Sequence, residues 1–252
     1  MREDIERLPI KHLQAYNLGL GNATTRTSKQ KQLALIYTNE LIAAECGLII
    51  APDGSIFNPD KDKANAPRYG GYGISFIDSN EQRPGSFKSF FTLQGKVPTI
   101  DAQLTELFGI CAALNHVLNN IENLKHRIID NTISIFCDCL NAVRYINKMY
   151  NVPAKYASIV QAINENIEAL DGIGYYAQIT WIPGHTGNAL NDEADDLAKE
   201  AAKDWINPGH DPPNYHIRPD TDLAVDAPCS PTASSSLPPS RRALARFCGL
   251  SQ

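Results

Sequence analysis

Two short apolar runs, each closed by an aspartate, constrain the fold of this chain more than any other feature. They are CGLIIAPD, at 46–53, and ISIFCD, at 133–138. Each is shorter than an ordinary buried helix, rich in isoleucine, and followed by a change of composition, so each is read as a buried strand. A strand covered on both faces needs helices above and below it. The chain is therefore expected to build a sheet with helical layers, with Asp53 and Asp138 each placed where a strand ends.

The rest of the chain fills in that plan. Thr27 and Gln30 have capping-box spacing, and Leu33, Ile36, Tyr37, Leu41 and Ala44 fall on one helical face, which predicts an amphipathic helix over 28–45 with Gly47 as its stop. Residues 54–70, rich in Asp, Asn, Pro and Lys, are expected to be a long loop. GGYGISFID (70–78) and KSFFTLQG (88–95) are β-prone and suggest an antiparallel meander with the first strand. Helices are expected over 101–122, 139–150 and 154–170, the last two split by Pro153. YYAQITWIP (175–183) reads as the fifth strand, and 191–203 as the last helix. The predicted order is βββαβααβα behind an extra N-terminal helix.

Composition narrows the class. With 252 residues, 43% hydrophobic and 20% charged, the chain suits one domain with extensions. The predicted division is an N-terminal extension over 1–45, a domain over 46–205 and a tail over 206–252. The tail, PCSPTASSSLPPSRR among it, is expected to be disordered, because Pro, Ser, Asp and Ala cannot bury enough to order it. Residues 1–26 carry no clear period and end in the linker-like GLGNATTRT. The net charge of −5 excludes binding of nucleic acid by global charge, so such contact needs a local patch or metal ions. The six cysteines form no CxxC pair, and no apolar leader precedes them. Reduced thiols and an intracellular setting are expected. The longest uncharged apolar stretch, near Gly47–Pro52, is too short to span a bilayer, so no membrane role is expected.

Four acids stand at the edges of predicted elements: Asp53, Glu106, Asp138 and Asp195. Carboxylates converging on one point repel, and holding them ionised takes cations. Oxygen-only ligands suit Mg²⁺ or Mn²⁺, and a pair of such ions can clamp an in-line phosphoryl displacement. Each acid also has a plain reading. Asp-Gly is a common turn dipeptide. Acids in a first helical turn complement the helix dipole, which covers Asp192, Glu193, Asp195 and Asp196. Asp138 would serve as a helix cap. Only the constellation together with the strand order points to chemistry.

At these residues the chain resembles the type 1 ribonuclease H family, including the ribonuclease H domains of reverse transcriptases. The matching stretches are IIAPDGSIF and GGYGISF, then QLTELFGICAAL, IFCDCLNAV and WIPGHTGNALNDEADDLAKEAA. They span about residues 46–203, and the last is the most specific. The family places ten positions between its loop histidine and its last carboxylate, and ten separate His185 from Asp195. The resemblance implies an α/β ribonuclease H-like fold, with a five-stranded mixed sheet of three antiparallel and then parallel strands, flanked by helices. LIYTNE (35–40) imitates the first-strand motif with Asn39 in place of Asp. It is set aside because no Gly-Ser follows and the glycine-rich second strand comes too late.

The resemblance further implies hydrolysis of the RNA strand of an RNA–DNA hybrid, leaving 5′-phosphate and 3′-hydroxyl ends, with two Mg²⁺ ions that Mn²⁺ can replace. By analogy Asp53 bridges the two metals, Asp195 completes the site of the nucleophile's metal, and Glu106 and Asp138 hold the metal on the leaving-group side. Glu106 also lies where the family senses a ribose 2′-hydroxyl. Gln103, Gly54 and Ser55 match positions near the hybrid. His185 sits in a Gly-flanked loop, and an imidazole titrates near neutrality, which suits proton shuttling or product release. The bland alternative is a surface histidine in a turn.

Departures from the family pattern are Cys139 after the fourth-strand acid and Ala102 four residues before Glu106. The 139–180 segment is neutral and too short for a basic handle, which leaves Lys61, Lys63 and Arg68 as candidate grips, or simply as a solvated loop. Phe90 and Phe91 should face opposite sides of the third strand, and Trp181 should be core. Cys137 and Cys139 are expected to share the strand face opposite Asp138 and to form no zinc site. SRRALARFCGL at the end reads as tail or as a short basic helix. A monomer is expected. The competing readings are a non-catalytic hybrid-binding module on the same fold, and an integrase, transposase or exonuclease relative.

Overall fold

In a computed structural model the described residues are 27–59, 68–79, 87–97, 99 and 101–205. The strands are β1 (Leu48–Phe57), β2 (Tyr69–Asp78), β3 (Phe91–Val97), β4 (Thr132–Cys137) and β5 (Tyr176–Trp181). The helices are α1 (Ser28–Ala44), α2 (Ala102–Asn119), α3 (Ile121–Leu124), α4 (Leu140–Ile146), α5 (Ala154–Gly172) and α6 (Ala189–Lys203), with a 3₁₀ turn at Lys125–Arg127. The sheet runs β3-β2-β1-β4-β5. β1 pairs antiparallel with β2, and β2 with β3. β1 pairs parallel with β4, and β4 with β5. This is the five-stranded mixed sheet expected from the sequence, with helices on both faces. No helix among the described residues is long and apolar enough to cross a membrane.

β1 departs from expectation. It does not stop at Asp53 but continues to Phe57, paired with Tyr69–Gly73 of β2. Asp53 and Gly54 are strand residues, so the turn reading of Asp-Gly fails, and the loop expected over 54–70 begins only after Phe57. A stretch with acids and glycine extends here because a bare β2 lies opposite: Gly70, Gly71 and Gly73 pair with Ile56, Ser55 and Asp53.

Those glycines decide the layering. Alternation sends odd-numbered β1 side chains to one face and even-numbered ones to the other. On the Asp53 face, a Cβ at Gly73 would collide with the Ala194 carbonyl, and one at Gly71 with the Ala202 amide. α6 meets this bare strip with Ala194, Ala198, Ala201 and Ala202, all buried, so its backbone lies almost on the sheet. On the opposite face, a Cβ at Gly54 would strike the Glu106 amide and Thr105, which brings the first turns of α2 against β1. α5 packs outside α2, where buried Asn166 donates from Nδ2 to the Cys111 carbonyl at 3.4 Å.

α1 begins with the expected capping box, Thr27 with Gln30. Its buried Ala34, Tyr37, Leu41 and Ile42 join the main core, whereas Leu33, Ile36 and Ala44, expected on the same apolar face, are exposed. The helix rests on the sheet through the neighbouring row of Ala34, Thr38 and Ile42. The Ser134 hydroxyl of β4 donates to Glu45 at 2.9 Å. Ser134 is in register with Ile49, an odd-numbered β1 position, so α1 sits on the same face as α6, over the β4 side of the sheet. The core between these layers includes Ile49, Ile50, Phe76, Leu107, Ile135 and Phe136, each at most 1% exposed. Burying each such side chain contributes about 1.5–3 kcal/mol before chain entropy is subtracted.

Smaller differences have local causes. The helix expected over 101–122 breaks at Asn120, whose backbone leaves the helical region. The helix expected over 139–150 closes at Ile146, and Lys148 is left-handed at φ 58°. Cys139 lies beyond β4 as the N-cap residue of α4, so it does not share a strand face with buried Cys137. Phe87, Phe90 and Phe91 are all partly buried against the core, and Trp181 is core. Lys61, Lys63, the 1–26 and 206–252 segments and the terminal SRRALARFCGL lie outside the described residues.

Candidate active site

Each acidic side chain is delivered by a different element. Asp53 comes from the middle of β1 and is 4% exposed. Glu106 comes from the first turns of α2, which Asp101 starts by accepting from the Gln103 and Leu104 amides. Asp138 follows the last residue of β4, held there by Trp181 of β5, whose indole N–H donates to the Asp138 carbonyl at 2.9 Å. Ligand atoms of Asp53, Glu106 and Asp138 lie within 4.8 Å of one another.

The cluster is short of donors. The Gly54 amide donates to Asp53 Oδ1 at 2.6 Å, and the Asn191 side chain to Asp138 Oδ2 at 3.4 Å. Asp53 Oδ2 and Glu106 Oε2 are buried, and no N–H or O–H among the described residues donates to either. Burial raises the Asp53 carboxyl well above its ordinary range, and the charges of Asp138 and Asp195 push it further. Burial does the same to Glu106, followed by Asp53 and Asp138. Asp138 is raised by burial but drawn back by His185 and Asn191. Three oxygen donors, two buried oxygens that receive no donor and carboxyls that resist ionising beside one another fit a site for a hard divalent cation.

Asp195 stands apart from the three. It lies in the second turn of α6, close enough for its charge to raise Asp53, and it pairs with Lys199 one turn on. His185 Nδ1 is 4.0 Å from Asp195 Oδ2, and the imidazole is 64% exposed. The His185 backbone is left-handed at φ 51°, as is Gly187 at 83°, so the loop turns sharply before α6. Gln103 sits in the first turn of α2 with its Nε2 buried and unpartnered. Ser55 lies on β1 opposite Gly71, and Gly54 touches α2.

Four neighbours were not singled out from sequence. Asn191 donates to Asp138, while its own Oδ1 is buried without a donor. Gly184 lies so close to Asp138 Oδ2 that a Cβ there would collide with it. Lys199 holds Asp195, a contact readable from the i,i+4 spacing. Asn188 caps α6, accepting from the Leu190 and Asn191 amides at 3.2 and 3.3 Å. Its position before a helical run was the available signal.

A mixed sheet of this order, with carboxylates gathered from β1, α2 and the end of β4 and a fourth beside them on α6, defines a class of acidic-site α/β proteins. The RNase H family model matches residues 48–203, and the chain belongs to that family. No curated protein sequence matches it. Among solved structures, it is similar to LC11-RNase H1 in complex with an RNA/DNA hybrid, at 17% identity and TM-score 0.47, over 63% of this chain and 99% of that one. The N-terminal RNase H domain of a Mycobacterium tuberculosis protein, solved as a fusion with maltose binding protein, aligns at 15% identity and TM-score 0.45, over 65% of this chain and 99% of that one. The foamy viral protease-reverse transcriptase in complex with an RNA/DNA hybrid aligns at 16% identity and TM-score 0.46, over 64% of this chain and 20% of that one.

Proposed function

We propose that this protein is an endonuclease that hydrolyses the RNA strand of RNA–DNA hybrids, leaving 5′-phosphate and 3′-hydroxyl ends. The observation that carries the reading is the buried trio Asp53, Glu106 and Asp138, with two carboxylate oxygens that receive no donor, in a chain of the RNase H family. A structural cluster would be neutralised by arginine, lysine or backbone amides. No arginine or lysine among the described residues pairs with this trio, and the raised pKa values of its acids reflect burial and mutual repulsion that a divalent ion would relieve.

Asp53, Glu106, Asp138 and Asp195 would hold two Mg²⁺ ions, or Mn²⁺ in their place. When bound, such ions neutralise phosphate charge and lower the pKa of a coordinated water. The protein's own residues do the rest. The β1 backbone fixes Asp53 at the centre, and Asn191 orients Asp138 through its side-chain amide. Lys199 holds the Asp195 carboxylate in place beside His185. His185, exposed on its loop, is free to take a proton from, or return one to, the reacting phosphate region. Gln103 and the Gly54-Ser55 stretch would meet the hybrid. Retention of all four carboxylates favours an enzyme over a hybrid-binding module. The family-type domain is 46–205, with 1–45 and 206–252 as extensions, of which α1 packs into the domain's own core, and it works as an intracellular monomer.

The test is cleavage of a labelled RNA–DNA hybrid with Mg²⁺ or Mn²⁺, against EDTA, single-stranded RNA, double-stranded RNA and duplex DNA. Hybrid-only, metal-dependent cleavage that disappears in Asp53→Asn supports the reading. Hybrid binding without cleavage in either metal overturns it in favour of the non-catalytic module.

A further inference from the structure

Asn39, rejected above as a catalytic imitation, has a definite partner. Its Oδ1 accepts from the side-chain Nδ2 of Asn188 at 2.7 Å. Asn188 is 1% exposed, and its Oδ1 is already committed to the Leu190 and Asn191 amides that open α6. With the oxygen turned toward the helix, the nitrogen must face away from it. A buried N–H without an acceptor is costly, so the amide keeps this orientation only while something accepts on the far side. Asn39 of α1 is that acceptor.

Asn188 lies between the two parts of the site that the last helix supplies. Just before it runs the left-handed turn of His185 and Gly187, pinned by the Thr186 hydroxyl on the Pro183 carbonyl at 3.2 Å. Just after it come Asn191, which donates to Asp138, and then Asp195. A rotation of the Asn188 side chain would release two N–H groups of the first turn of α6 and loosen both parts together. α1 itself is firmly placed: Ala34 and Ile42 are fully buried, and Glu45 accepts from Ser134 of β4. The helix lies outside the family-matched residues 48–203.

We propose that α1 is a working part of the active site and that Asn39 is a positioning residue, holding Asn188 so that the His185 loop and the first turns of α6 keep one geometry. This proposal rests on the functional reading above. It extends the site to an element that the family pattern does not contain.

The experiment compares full-length wild type with Asn39→Leu, Asn39→Asp and Ile36→Gln. Leucine removes the acceptor, aspartate restores one, and Ile36 lies on the outer, exposed side of α1. Two readouts are taken: amide hydrogen exchange of residues 185–191, and steady-state cleavage of a hybrid across a Mg²⁺ titration. Asn39→Leu should speed exchange at Leu190 and Asn191 about tenfold while leaving β1 and β2 protected. It should lower kcat about tenfold at little change in KM, since misplaced groups penalise the chemical step. Asn39→Asp should restore both readouts, and Ile36→Gln should alter neither. Unchanged exchange in Asn39→Leu overturns the proposal, as does a kcat loss that Asn39→Asp does not repair. If wild type cleaves nothing, the functional reading fails, and the exchange experiment alone still decides whether Asn39 holds the loop.

Discussion

Gly54 of β1 lies directly against the backbone of Glu106 on α2, so close that a Cβ at position 54 would collide with the Glu106 amide nitrogen. One residue on β1 thus sets the approach of the helix that carries an acid, while its neighbour Asp53 carries another. Gly54→Ala must push α2 off the sheet. The expected result is a loss of about 1–3 kcal/mol in urea unfolding, the range for overpacking a well-filled core. Cleavage should fall by more than stability explains at temperatures where the variant is fully folded.

Removing a carboxylate should separate activity from stability. For Asp53 and Glu106 the folded-state pKa is raised, chiefly by burial and then by neighbouring charge. An acid of that kind is easier to ionise in the unfolded chain. Its charge therefore opposes folding at neutral pH, and the opposition fades as pH falls through the raised value. Asp53→Asn and Glu106→Gln are expected to reduce hybrid cleavage by at least about 100-fold. In EDTA at pH 7.5 their thermal midpoints should equal or exceed that of wild type. A large drop in midpoint would show that the acids are structural.

Divalent metal should stabilise the folded protein in proportion to its occupancy. A ligand held at 100 times its Kd adds about 2.7 kcal/mol by mass action. Differential scanning fluorimetry with rising Mg²⁺ or Mn²⁺ is expected to raise the midpoint of wild type, and EDTA to reverse it. Asp138→Asn should flatten the response, because Asp138 supplies one of the three clustered donors.

His116 offers a pH effect away from the site. Its ring stacks on Phe91 at 4.9 Å and lies 5.2 Å from Phe76. Burial lowers its pKa from 6.5 to about 4. Between those values the unfolded chain binds a proton that the folded chain refuses, so stability is full above pH 6.5 and declines toward pH 4. At pH 5 this amounts to about 2 kcal/mol. Urea midpoints at pH 7.5 and pH 5 should fall further in wild type than in His116→Phe. Equal decline in both would exclude His116 as the source.

The five strands and the three acids that cluster were legible in the sequence because each rests on a local pattern: apolar runs, glycine-rich β sequence, an acid at an element edge. Their assembly into one mixed sheet was legible only through the family resemblance. The length of β1 was not. Asp53-Gly54-Ser55 reads locally as a turn, and only the glycines of β2 opposite it keep the strand going. The partners of the acids were only partly readable. Lys199 follows Asp195 by one helical turn, but Asn191 reaches Asp138, and Gly184 abuts it, across distances set by tertiary packing. Asn39 lies on α1 and not on a first strand, as the sequence implied, yet its bond to Asn188 joins positions 149 residues apart, which no spacing rule covers.

The bare strip of Gly71 and Gly73 has a consequence for the chain as it is made. Asp195 arrives on α6, the last helix among the described residues, and that helix has its seat on β2, a strand synthesised more than a hundred residues earlier. Domains fold as their chain emerges from the ribosome, at roughly 5–20 residues per second. For several seconds of synthesis, the first three acids can be in place while the groove in the sheet stands open and the fourth acid is still to come. The fourth acid is then the last of the site's groups to be seated, and a chain released before α6 has emerged holds only three of them.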